Sequence, residues 1–150
     1  MTYSRRKLAM LLPAVAAGAA RSQAQSSTAR GGGAPKPLPS RAIKFEDMLV
    51  KTSGENKTRA ILDGETHSGF PVEVHETELP AGGSPHPPHQ HVSEEMFLIQ
   101  DGLLDVTVNG NTSRLTPGSV FYVNSNDLHG VRNPGPKGAR YFVIALGAKK

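Results

Sequence analysis

From Arg41 onward turn signals fall at close intervals, and the stretches between them are too short for helices. Asp101-Gly102 and Asn109-Gly110 are dipeptides that accept positive φ in tight hairpins, and Pro117-Gly118 suits a type II turn. The intervening apolar or alternating runs predict eight strands: 59–62, Val72–Leu79, Glu95–Gln100, Leu103–Val108, Thr112–Leu115, Ser119–Val123, Leu128–Asn133 and Arg140–Leu146. No stretch past residue 40 sustains a helical period for more than about two turns, and no fixed-period repeat is present. Eight short strands fold without sticky edges as a closed barrel or a double-sheet jelly roll, so the expectation is an all-β single domain. Phe97, Ile99, Phe121, Val123, Tyr141 and Val143 are its predicted core.

Cysteine is absent. Disulfide frameworks, thiolate zinc sites and a cysteine nucleophile are all excluded, and any metal must take nitrogen and oxygen ligands. The formal charge of +4 is unevenly placed: residues 1–40 hold six basic side chains and no acid, whereas residues 41–150 carry 11 basic and 13 acidic ones. The folding part is therefore mildly acidic and has no basic stripe, which counts against nucleic acid as a partner.

Arg5, Arg6 and Lys7 precede an apolar run of 13 residues, Leu8 to Ala20, that ends in small residues suited to cleavage. This is the pattern of a signal peptide, and the run is shorter than the roughly 18–20 residues needed to span a bilayer. Residues 1–24 are read as that signal peptide, residues 25–40 as a Ser-, Ala-, Gly- and Pro-rich linker, and residues 41–150 as the domain. The adjacent arginines resemble the twin-arginine export signal of bacteria, which carries proteins already folded; a general secretory signal containing Arg-Arg is the alternative. Either reading predicts a periplasmic or secreted protein with no stable membrane anchor.

All six histidines lie between residues 67 and 129, and His86, His89 and His91 fall within six residues. On an extended strand His89 and His91 share a face, about 7 Å apart along the chain, and Glu95 joins them by parity if the strand stays regular. A fourth ligand must come from elsewhere, and His129, which follows the turn 124–127, is placed for it. His86, among three prolines, is read as an exposed loop residue, and so is His67; the face of His75 stays open.

These residues carry a resemblance to the cupin family, small β-barrels of the jelly-roll type. The first cupin motif is met in full by Gly83, His89, His91, Glu95 and Gly102; of the second, Gly118, His129 and Asn133 fall in place. Asn124 stands where proline is usual and Asn126 where glycine is usual, which touches loop geometry and leaves the ligands alone. The resemblance implies that His89, His91, Glu95 and His129 bind a metal. Gly83 and Gly102 are taken as turn residues and Asn133 as a polar residue ending a strand.

Three neutral imidazoles and one carboxylate leave a divalent ion with net charge +1, able to polarise an oxygen-bearing ligand. Such ligands suit Mn, Fe, Co, Ni, Cu or Zn, and export after folding favours Fe or Mn. No organic cofactor is expected. The partner expected is a small-molecule substrate, with a homodimer possible through outer strands. Three functions follow from the resemblance: a metal-dependent oxidoreductase, a non-redox isomerase needing a proton-transferring group such as His75, Glu73 or Tyr141, or a metal- or sugar-binding module without turnover.

Overall fold

The computed structural model describes residues 37–147; residues 1–24, read above as a signal peptide, and most of 25–40, read as a linker, lie outside them. Nine strands occur among the described residues: β1 (Val50–Ser53), β2 (Asn56–Glu65), β3 (Pro71–Leu79), β4 (Glu94–Asp101), β5 (Leu104–Val108), β6 (Asn111–Leu115), β7 (Val120–Val123), β8 (His129–Arg132) and β9 (Ala139–Leu146). A single 3-10 turn, Phe45–Asp47, precedes them. All strand pairs are antiparallel, in a six-stranded sheet ordered β1-β2-β3-β9-β4-β7 and a three-stranded sheet ordered β6-β5-β8. The all-β jelly roll is as expected, with one strand more than the eight predicted. The additional strand, β1, is exposed at every position and has no apolar alternation to betray it. β2 runs through the polar residues on both sides of the predicted 59–62, paired along its length with β3.

Period-two alternation decides what the sheets enclose. β9 alternates buried and half-buried residues throughout, turning Tyr141 and Val143 inward to meet Phe97 and Ile99 of β4 and Leu104 and Val106 of β5. Val123, Leu79 and Val131 complete this core, whereas Phe121 packs against it only half-buried. Asn109 and Gly110 have φ of +48° and +84°, and Gly118 has φ of +85°, the turn geometries their dipeptides require.

Gly102 does more than turn. Its φ is +76°, and a Cβ there would lie 2.5 Å from the Gly138 carbonyl oxygen and 2.7 Å from Ala139 Cα, so backbone from the β8–β9 connection occupies the space a side chain needs. Gly83 is constrained by packing alone: a Cβ would come within 2.8 Å of the Pro80 ring.

The outer face of the large sheet holds a buried acid that the sequence pattern does not reveal. Glu76 is only 1% exposed, held by Arg59 at 2.8 Å and Arg140 at 3.0 Å. The Phe45 ring covers both guanidinium groups, at 4.6 and 5.3 Å from its centroid. Leu38 likewise lies against Gly64 and donates its N–H to the Glu65 carbonyl, so the segment before β1 packs on the barrel.

Candidate metal centre

His89, His91 and His129 come together, each offering a nitrogen within 4.8 Å of the others. The means differs from simple strand parity. Of the three residues that parity would place on one strand, only Glu95 lies on one, β4, while His89 and His91 precede it in the β3–β4 connection; His129 opens β8. His89 is instead bridged to His129, each N–H donating to the other's carbonyl at 2.9 Å. Directly opposed antiparallel residues share a face, which sets the two rings 4.6 Å apart. His91 is fixed from the opposite loop, where Asn126 donates its N–H to the His91 carbonyl at 2.8 Å. Asn126 does so at φ +63°, fulfilling with asparagine the conformation for which glycine is usual.

Backbone carbonyls then fix the tautomers. His91 Nδ1 lies 2.7 Å from the Ser93 carbonyl and His129 Nδ1 lies 2.9 Å from the Asp127 carbonyl. A carbonyl only accepts, so each Nδ1 carries a proton, and in the neutral ring each Nε2 presents a bare lone pair. Both Nε2 atoms are buried without a hydrogen-bond partner, as is His89 Nδ1. Leaving such atoms unpaired costs about 1–3 kcal/mol each. Facing them, Glu95 places Oε1 3.3 Å from His91 Nε2 and Oε2 3.4 Å from His129 Nε2.

Lone pairs confronting a carboxylate repel unless a positive centre lies among them, either protons or a cation. The protonation tendencies follow this logic. Burial pushes the Glu95 carboxyl up, but its contact with His129 and the neighbouring rings prevail and hold it below its ordinary value. Contact with Glu95 raises His129 against the opposing effect of burial. His89 is lowered by burial and by the adjacent rings, against an opposing pull from Glu95, which favours the neutral form that ligates. The buried, unpaired and carboxylate-facing nitrogens therefore fit a divalent metal.

A cavity of about 330 Å³ opens beside the cluster. Phe97, Val131 and Val143 supply its apolar wall; Thr77, Tyr141 and His75 supply polar groups. This settles the face of His75, which turns to the cavity. His86 stands at the rim, exposed, its ring 4.2 Å from that of His89 and its Nδ1 engaged with the Pro87 carbonyl at 3.0 Å. His67 is exposed in the β2–β3 turn, as expected. A second crevice of about 330 Å³ contains Lys57, Glu78, Asp101 and Arg140 but no histidine.

Two residues matter more than their sequence context suggests. Asn133, completely buried, donates from Nδ2 to the carbonyls of Pro80 at 2.8 Å and Lys137 at 2.7 Å, and its Oδ1 accepts the Gly135 N–H at 2.9 Å. Its own N–H donates to the Gly83 carbonyl, so it clamps the β3–β4 loop to the β8–β9 loop. Ser93 adds an Oγ contact of 3.0 Å to His91 Nδ1, and a serine two residues past a ligand offers no sequence signal of that role.

Residues 75–145 match the cupin domain family. An RmlC-like cupin from Shewanella frigidimarina shares the fold with a TM-score of 0.62 at 19% identity, over 75% of this chain and 95% of the other. The polyketide cyclase RemF from Streptomyces resistomycificus gives 0.62 at 19% identity, covering 74% of this chain and 82% of its own. A predicted oxalate decarboxylase from Thermotoga maritima gives 0.60 at 15% identity, covering 72% of this chain and all of the other, 100%. The family match covers residues 75–145 of the 150, and the solved structures share the jelly-roll fold with this chain.

Proposed function

We propose that the chain is an exported metal-dependent oxidoreductase of the dioxygenase type, acting on a small oxygenated organic molecule. The observation that carries the reading is the convergence of His89, His91 and His129, each with a buried unpaired ring nitrogen and the last two facing Glu95, beside a cavity. His89, His91, His129 and Glu95 would hold the ion, iron or manganese by preference. When bound, such an ion supplies Lewis-acid polarisation of substrate oxygens and, if redox-active, electron exchange with dioxygen.

The remaining work falls to the cavity wall. Phe97, Val131 and Val143 exclude water from one side of the bound molecule. Burial lifts the Tyr141 phenol well above its ordinary value, so it stays protonated and can donate a hydrogen bond to a substrate oxygen. Export is supported by Arg5, Arg6 and the apolar run that follows.

A second reading, proton transfer without redox change, is favoured by one observation: His75 lines the same cavity with Glu73 3.3 Å from its Nδ1. Metal analysis of protein matured in its own host, followed by oxygen uptake over phenols, diketones, flavonols and short carboxylic acids, decides between them. Iron or manganese with uptake on one of these compounds is expected. Zinc alone, with a compound converted but no oxygen consumed, would replace the first reading by the second, and tight binding without conversion would replace both with a binding module.

A further inference from the structure

We propose that His75 is the proton-transferring residue of the cavity, oriented by Glu73, and that the molecule it acts on is a neutral, enolisable oxygen chelator such as an α-hydroxyketone. This rests on the reading of the centre as a metal site.

The first support is the chemistry of the wall. The lining contains no lysine or arginine. A carboxylate or phosphate would find no fixed side-chain cation there, whereas a neutral molecule offering a hydroxyl and a carbonyl meets the metal ligands on one side and the Thr77 and Tyr141 hydroxyls on another. A neutral chelator is activated by losing a proton, and that requires a base which is not itself a ligand. His75 meets this condition. It sits on β3, outside the histidine cluster, and its ring borders the cavity.

The second support is the orientation of its ring. His75 Nδ1 lies 3.3 Å from Glu73 Oε1. An ionised carboxylate only accepts, so the proton of the neutral ring sits on Nδ1 and the basic lone pair on Nε2. The two residues are i and i+2 on one strand, so they share a face, and β3 holds that register through continuous pairing with β9, His75 opposite Val143. A base oriented by an acid through its other nitrogen is the arrangement general-base catalysis requires.

The step balances without an external oxidant. The C–H bond beside the carbonyl breaks, its proton goes to His75 Nε2, and its electron pair becomes the C=C bond of the enolate while the negative charge moves to oxygen. Glu73 faces the resulting imidazolium. Exchange of the imidazolium proton with solvent before its return to the same carbon gives deuterium exchange. Transfer of the hydroxyl proton to the charged oxygen, with return of the His75 proton to the neighbouring carbon, gives isomerisation; retention of the enolate supplies the electron-rich form that an oxidoreductase needs.

The test uses the full-length protein with its bound metal, under anaerobic conditions in D2O, with 1-hydroxypropan-2-one as probe and deuterium uptake followed by NMR. The wild type is expected to catalyse exchange, and His75→Gln to lose it by about 100-fold or more, in the range of general-base contributions, with metal content unchanged. Glu73→Gln should show a smaller loss. Independently, 15N NMR of the His75 ring in the wild type should report the Nδ1–H tautomer at neutral pH, and Glu73→Gln should abolish that preference. Exchange by His75→Gln within twofold of wild type, no exchange by the wild type, metal loss on His75→Gln, or an Nε2–H tautomer in the wild type would each overturn the proposal. Wild-type protein that binds no metal would instead remove the reading on which it rests, while the tautomer measurement still judges His75 without metal.

Discussion

His91→Ala is expected to weaken binding of a divalent metal by at least about 100-fold, since even residues that only support a ligand contribute 10–100-fold, while His86→Ala leaves it within about twofold. The contrast follows from where each ring nitrogen points. His91 Nε2 is buried, unpaired and 3.3 Å from Glu95, with its tautomer fixed by the Ser93 carbonyl. Removing it deletes one donor and leaves Glu95 facing only His129. His86 touches His89 ring to ring but is exposed and engages Pro87 through Nδ1, so nothing directs it at the cluster. Equilibrium dialysis with metal quantification on both variants reads the difference. Equal losses would mean that the ligand set is wrongly assigned.

Asn133→Ala is expected to destabilise the fold by about 3–5 kcal/mol, because truncation strands several buried backbone groups at about 1–3 kcal/mol each. The groups are the Pro80 and Lys137 carbonyls and the Gly135 N–H, all served by one side chain that is 0% exposed. For a domain of this size the loss lowers the thermal midpoint by roughly 10–20 °C. Asn133→Asp should be nearly as costly: it keeps the acceptor for Gly135 but presents oxygen to two carbonyls. Calorimetry on both variants checks this. A loss below about 1 kcal/mol, the net value of a single ordinary hydrogen bond, would show that the loops hold together without the clamp.

Local chemistry was the legible part of this chain. Asn109-Gly110 and Pro117-Gly118 form the turns their backbone preferences dictate, and the inward alternation of Phe97, Ile99, Tyr141 and Val143 follows from pattern alone. Features that depend on a distant partner were not legible. β1 is a wholly exposed strand that exists only by pairing with β2, and Glu76 is buried on an outward face because Arg59, Arg140 and Phe45 converge there from elsewhere. The histidines show both sides of this division. Their clustering in sequence signalled the centre, but parity along one strand was the wrong mechanism, since the bridge between His89 and His129 is a long-range pairing that spacing within one segment does not encode. Asn133 read as a strand end for the same reason: its hydrogen-bond partners at Pro80 lie 53 residues away.

A crystal structure of the protein grown with one equivalent of zinc, with anomalous scattering locating the ion, tests the four-residue centre most directly. One ion is predicted, about 2.0–2.2 Å from a ring nitrogen of each of His89, His91 and His129 and from a carboxylate oxygen of Glu95. An ion seated elsewhere, or one bound without His129 or Glu95, would contradict it.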